Sequence, residues 1–269
     1  MYCTNFEYAG EKLSDYGMIV CSFGGKGLET VSSGADITFT QASPSMSNHF
    51  NLYSSNYEEP FSCTFQICKD PKLVHSADEM AISIREMSAV QRWLCRKNRY
   101  FKFKIFQEGY EHVYWNATFS AKQINVGGVP IGLEVEMHTD SPYAYMDDIV
   151  IEKESVDFLT FDIYDPSDEV GDIRLNLEIE FLENGKFNLI NMTTGKITVI
   201  DGCEYGEKII IDGKNCIITT SSSEHLLSNN FNYVFPTITN SYEDNKTTFM
   251  CNMPCKIKLS YSPIRKVGL

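Results

Sequence analysis

Leu175, Leu177, Ile179 and Phe181 alternate with Asn176, Glu178 and Glu180, and this period of two constrains the fold more than any other feature. Successive side chains of a strand point to opposite faces, so such a segment buries one face and wets the other. The pattern recurs along the chain. Phe61, Cys63, Phe65 and Ile67 alternate with polar partners, residues 100–106 read Tyr-Phe-Lys-Phe-Lys-Ile-Phe, and Ile257, Leu259 and Tyr261 alternate with Lys256, Lys258 and Ser260. Asn184-Gly185 and Asp212-Gly213 supply the pairs favoured in two-residue hairpins, where both turn positions need positive φ. Short strands at close spacing with turns between them imply a sandwich or a barrel. An aromatic content of 13% suits a pleated, half-buried surface.

The first half reads as mixed but mostly β. Phe6 and Tyr8 alternate before Gly10, and Met18 to Phe23 form an apolar run after Ser14-Asp15-Tyr16-Gly17. Residues 35–41, 61–68, 100–106, 112–126 and 131–138 read as strands, the last two separated by Gly127-Gly128. Residues 42–59 are rich in Ser and Asn and read as a long loop. Ser88 and Gln91 have capping-box spacing, and Val90, Trp93 and Leu94 share one face, which predicts a helix over 89–97 with Trp93 as a core anchor. The texture changes at Ser141-Pro142-Tyr143, after which acids accumulate. The expected domains are therefore 1–147 and 148–269, the second almost purely β.

Thirty-six acidic against 23 basic residues give a formal net charge of −13. Such a surface repels nucleic acid and anionic membranes unless a local patch overrides it. The densest basic run is Arg92, Arg96, Lys97, Arg99, Lys102 and Lys104, for which a solvated face is the plainer reading. No secretory leader pattern is visible at Met1–Gly10, and no apolar run approaches the roughly 20 residues that span a bilayer. The expectation is folding in the cytoplasm, where the acceptor-like Asn116, Asn191 and Asn245 stay unmodified. Nine scattered cysteines read as reduced thiols. Cys63 with Cys68, or Cys251 and Cys255 with Cys203 and Cys216, offer loose zinc spacing at best.

The search for chemistry returns no catalytic, cofactor-binding or metal residues. Asp162, Asp165, Asp168 and Asp172 lack the spacing and central Gly of a calcium loop. His49, His75, His112, His138 and His225 form no metal-site pairing and sit in no nucleophile motif. Gly24-Gly25-Lys26-Gly27 has no following helix to supply phosphate-binding amides and reads as a flexible turn.

Taken in order, several segments resemble the bacteriophage distal tail family. They are Phe6-x-Tyr8-x-Gly10 with Ser14–Val20, Glu59-Pro60-Phe61, the helix end Arg92-Trp93-Leu94, and Gly132–Val135 running into Asp140–Tyr145. Ile190–Gly195, Gly206–Asp212 and Arg265–Leu269 continue the likeness over nearly the whole chain. Tyr164-Asp165-Pro166 departs from the family's usual Tyr-Asn before Gly. The resemblance implies a β-barrel-like, tail-tube-related first domain with a short α-helix, followed by a galectin-like β-sandwich. It implies a structural protein, not an enzyme and without cofactors, that forms a hexameric ring at the virion's tail tip after assembly in the host cytoplasm. The implied partners are further copies of itself, the tail tube protein, a tail-tip protein and a receptor-binding protein. No membrane insertion is implied, and no nucleic-acid contact beyond DNA passage through the lumen. Two other readings stay open: a carbohydrate-binding module of a tail or baseplate, and a tail-associated hydrolase.

Overall fold

The structure, a computed structural model, describes residues 3–24, 34–46 and 48–268. It divides into two compact units, Met1–Met146 with Arg265–Leu269 and Asp147–Ile264.

The first unit runs β1 (Phe6–Tyr8), β2 (Glu11–Lys12), β3 (Met18–Cys21), β4 (Ile37–Ala42), β5 (Asn51–Tyr57), β6 (Ser62–Lys69), α1 (Ile84–Leu94), β7 (Phe101–Ile105), β8 (Val113–Val126), β9 (Val129–Thr139) and β10 (Ala144–Met146). Its main sheet has the order β2-β1-β7-β8-β9-β6-β3, with β10 added to β8. The expected β-rich domain with one short helix is present. The sheet is not a closed barrel, but it curls far enough for the Val20 N–H to donate to the Thr4 carbonyl at 3.0 Å. That bond links the β3 edge to the chain just before β1.

Alternation builds this core. Phe6, Tyr8, Phe65, Ile67, Phe103, Ile105, Trp115, Phe119, Val135 and Met137 all turn inward. The α1 helix lies against them through Met87, Val90, Trp93 and Leu94. Trp93 is the anchor that its position predicts: it stacks on Phe6 at 5.7 Å and on Tyr16 at 4.6 Å. Its indole N–H donates to the Tyr8 carbonyl at 2.9 Å, so the one polar atom of the ring is satisfied inside the core.

Two expectations change here. The helix begins at Ile84, not 89, and ends at Leu94. Ser83 Oγ accepts from the Glu86 N–H at 3.3 Å, and Glu86 Oε2 accepts from the Ser83 N–H at 2.7 Å. Ser83-Ile84-Arg85-Glu86 carries the same kind of signature five residues upstream of Ser88, and starting there adds Met87 to the buried face. The second change is in residues 42–59, which are not all loop. Asn51–Tyr57 forms a strand paired with Ile37–Ala42.

The second unit contains β11 (Ile149–Ser155), β12 (Leu159–Tyr164), β13 (Gly171–Arg174), β14 (Asn176–Phe181), β15 (Gly185–Asn191), β16 (Ile197–Cys203), β17 (Lys208–Asp212), β18 (Ile217–Thr220), α2 (Leu227–Asn230), β19 (Thr237–Asn240), β20 (Lys246–Cys251) and β21 (Cys255–Tyr261). A five-stranded sheet, β11-β21-β14-β17-β18, faces a four-stranded sheet, β12-β20-β15-β16, and β13 pairs with β19. Leu177, Ile179, Ile209, Ile257 and Leu259 of the first meet Phe161, Phe187, Leu189 and Phe249 of the second in one core.

Asn184-Gly185 does not close a hairpin. The strands on either side belong to different sheets, so the pair is a corner where the chain crosses the sandwich. Asn184 Oδ1 accepts there from the Tyr205 N–H at 2.5 Å. Asp212-Gly213 does open a hairpin, with a longer loop that returns at Ile217. At Gly213 a Cβ would lie 2.2 Å from the Leu175 carbonyl oxygen, so this glycine answers to close backbone approach.

Both tryptophans lie in the first unit, so indole fluorescence reports on that unit alone. Trp93→Ala is expected to destabilise it by about 3–5 kcal/mol, the usual cost of emptying a large aromatic site, read in urea melts from the remaining Trp115. Gly213→Ala should leave that transition in place and destabilise the second unit by about 1–3 kcal/mol, measured by amide hydrogen exchange of β14 and β17.

Candidate assembly surface

The feature of the first unit that its own core does not explain is the β4–β5 hairpin. Ile37 pairs with Tyr57 and Phe39 with Ser55, and a bulge between Thr40 and Gln41 shifts Gln41 opposite Leu52. Both strands pair only with each other among the described residues, which leaves two bare edges. All six residues of β4 are exposed, and most of β5 is too. Phe39 is 57% exposed, Leu52 57%, Tyr53 65% and Phe50 71%, which gathers several exposed large apolar side chains on one hairpin. At its base Tyr57 packs edge-on against Tyr143 at 5.0 Å. A two-stranded hairpin alone is at best marginally stable in water, and long apolar edges invite pairing with another chain. This surface is therefore suited to burial against a partner.

The residues considered for chemistry are spread among structural tasks. Asp162 accepts from Thr248 Oγ1 at 2.7 Å and pairs with Lys246 at 3.0 Å, and these partners hold its carboxyl below the usual range. Asp172 receives Lys196 and Thr239. Asp165 is buried and accepts from Ser167 Oγ at 2.7 Å and Asn240 Nδ2 at 3.0 Å. The backbone N–H of Asp168 donates to the Ile264 carbonyl. Each acid thus serves a different turn or strand, and among the described residues no three His, Cys, Asp or Glu form a metal-binding group.

Cys63 and Cys68 sit five residues apart on β6, hence on opposite faces, and cannot share an ion. Burial pushes the Cys63 thiol up to about 12. Cys203, Cys251 and Cys255 are all buried in the second core, whereas Cys216 is exposed and meets Arg174. Of the glycine-rich turn Gly24-Gly25-Lys26-Gly27, residues 25–27 lie outside the described residues.

Asn116 donates to Asp140 at 2.9 Å, and Asn245 donates to the Asp165 carbonyl at 3.1 Å. Asn191 accepts from the Thr193 and Thr194 N–H groups and donates to the buried Thr237 carbonyl, which fixes the turn after β15. In the basic run, Arg96 pairs with Glu11 at 2.8 Å, Arg99 lies over Phe101 and Lys102 over Tyr114. Sequence reading missed one buried polar cluster. His225 Nδ1 lies 2.7 Å from Glu207 Oε1, with Thr220 donating to the same oxygen. No local motif announces it, because its members come from the turn before β17, the end of β18 and the loop after it.

With the fold in view, the comparisons with known proteins define a class, that of phage tail components. Residues 1–141 match the family described as phage tail protein N-terminal domain, and residues 143–261 match the phage tail C-terminal domain. The chain belongs to this phage tail protein family. No curated protein matches it. Among solved structures it is similar to the Dit (gp 19.1) protein of phage SPP1, described as a paradigm of the hub adsorption apparatus in phages infecting Gram-positive hosts. The two share 10% identity and a TM-score of 0.67, covering 97% of this chain and 99% of the other. The fold is that of a Dit-type distal tail protein.

Limited chymotrypsin digestion of the isolated chain should cut first within 37–57, at Phe39 or between Phe50 and Tyr53, because exposed, singly paired backbone opens most easily. Replacing residues 37–57 by a short Gly-Ser linker should change the stability of the first unit by less than about 1 kcal/mol, read from indole fluorescence in urea.

Proposed function

We propose that this chain is the distal tail hub of a long-tailed phage, a structural protein whose copies close into a ring, six by the family likeness, between tail tube and tail tip. Residues 1–147 build the ring and residues 148–269 form a galectin-like β-sandwich. The observation that carries this reading is the β4–β5 hairpin, with its bare edges and exposed Phe39, Leu52 and Tyr53. A head-to-tail contact repeated around a closed ring covers such edges in every copy and leaves none for uncontrolled growth. The tube above, the tip and receptor-binding proteins below, and assembly in the host cytoplasm follow from the same reading. The role is one of geometry, with no reaction assigned to it.

A carbohydrate-binding role finds less support. The outer rows of the five-stranded sheet are charge ladders: Glu152, Lys258 and Glu178 lie side by side, as do Glu154, Lys256, Glu180 and Lys208. Lys258 reaches Glu152 at 3.2 Å. That face offers ions already paired with one another where a sugar would need an aromatic platform.

Mass photometry and negative-stain imaging of the full chain at micromolar concentration should show rings of about six times the 30.6 kDa chain. The double variant Phe39→Ser, Leu52→Ser should remain monomeric with unchanged indole fluorescence. Monomers alone in the parent protein would overturn the proposal, as would rings unaffected by the double substitution.

A further inference from the structure

At Asn184-Gly185 the chain leaves β14 in the five-stranded sheet and enters β15 in the four-stranded one, and both residues of this corner are exposed. Beside it lies the turn that joins β16 to β17. There the Glu207 N–H donates to the Glu204 carbonyl at 3.1 Å. Of the two central residues only Gly206 has a positive φ, +80°, so Tyr205 takes the second position of a type II turn. The N–H groups of that turn serve the corner. Gly206 N–H donates to the Phe181 carbonyl at 2.8 Å, and Tyr205 N–H donates to Asn184 Oδ1 at 2.5 Å. The side-chain carbonyl of Asn184 is thus polarised, and the residue that follows has no side chain to shield its backbone nitrogen.

We propose that Asn184-Gly185 is a self-modification site, where the Gly185 nitrogen closes on Asn184 Cγ, ammonia leaves, and water opens the ring to aspartate and isoaspartate. Hydroxide takes the Gly185 N–H proton, the nitrogen bonds to Cγ, and Oδ1 becomes an oxyanion. The Tyr205 N–H is already aimed at that oxygen, and a donor held where charge develops lowers the barrier. The bond from Cγ to the side-chain nitrogen then breaks. That nitrogen takes a proton from water and departs as ammonia, which returns the hydroxide and leaves a five-membered succinimide. Water next adds to one of the two ring carbonyls. Breaking the new Cγ–N bond gives aspartate, whereas breaking the original backbone C–N bond gives isoaspartate, with the chain running through Cβ and Cγ. The net change is one water in and one ammonia out, with nothing oxidised or reduced.

The same unit holds two comparison sites. At Asp212-Gly213 the Gly213 N–H is committed to Asn176 Oδ1 at 3.1 Å. The Asn215 side chain and N–H hold the Asp212 carboxyl below its usual range, so it stays an ionised, unreactive carboxylate. At Asn240-Ser241 the asparagine is buried, and its amide nitrogen donates to Asp165 Oδ2 at 3.0 Å. The corner differs in being open to water with its carbonyl oxygen on a donor. Either product adds a negative charge next to Glu183, in a chain whose formal net charge is already −13. Isoaspartate also lengthens the backbone of the crossover by one carbon.

The test is incubation of the folded full chain at mildly alkaline pH, followed by digestion, mass spectrometry and labelling with an isoaspartyl methyltransferase. The peptide holding Asn184 should gain the mass difference between an amide and a carboxylic acid and accept the methyl label, while the Asp212 and Asn240 peptides stay unlabelled. Its rate should be at least about twofold higher in the folded chain than in urea, where the Tyr205 N–H is no longer held on Asn184. Tyr205→Pro removes that N–H while suiting the second position of a type II turn, and should lower the folded rate by at least about twofold. Amide hydrogen exchange of β14 and β17 verifies that the variant's second unit is folded. An intact Asn184 in the folded chain overturns the proposal, as does a folded rate no higher than the unfolded one. A folded Tyr205→Pro variant reacting at the parent's rate overturns it too, and the comparison of folded with unfolded parent stands whether or not that variant folds.

Discussion

Every backbone N–H and C=O on a strand needs a partner, and most of this molecule can be read as ways of meeting that requirement. In the first unit the sheet bends until the Val20 N–H finds the Thr4 carbonyl, which satisfies part of an edge without closing a barrel. In the second, one edge of the five-stranded sheet ends at the four-residue β18, and Asn191 and Asn240 donate to the backbone carbonyls of Thr237 and Glu169. The β4–β5 hairpin is the exception. Among the described residues its outer edges have no strand partner, and most of its side chains are exposed. Those edge groups are left to water, and the assembly proposed for this chain is one way in which they would be covered.

Much of the fold was legible because alternation is a local property. Phe65 and Ile67 or Leu177 and Ile179 reveal their inward faces without knowledge of their neighbours, and all four are buried. What was not legible depended on distant partners. Asn184-Gly185 carries the chemistry of a tight turn, yet whether the chain turns within a sheet or crosses to another is decided by what β14 and β15 pair with. The helix start was ambiguous because Ser83 and Ser88 both open capping signatures, and only the buried surface beneath Met87 separates them. The exposed strand at Asn51–Tyr57 was read as loop because its residues alternate toward no core of their own chain.

The candidate surface was legible in a weaker sense. Ordered likeness to a tail family implied a ring, but no residue pattern singled out 37–57 as the contact proposed for it, since strands exposed on both faces look like irregular loops when read alone. The His225–Glu207 pair was hidden for a related reason. Its partners are brought together by tertiary structure, and buried polar groups seldom leave a sequence signature unless they lie on one element.

At 10% identity the fold is still shared with the SPP1 protein over nearly the full length of both chains. Cores tolerate wholesale exchange of apolar residues provided that volume and pattern are kept, so what the two proteins have in common is the alternation and the placing of turns rather than particular side chains. Features outside that pattern are then free to belong to one chain. In the proposed ring, the exposed Phe39 and Leu52 would need only to match the surface of an identical neighbour, which would change along with them in every copy. There the architecture sets the position and leaves the chemistry to the individual sequence.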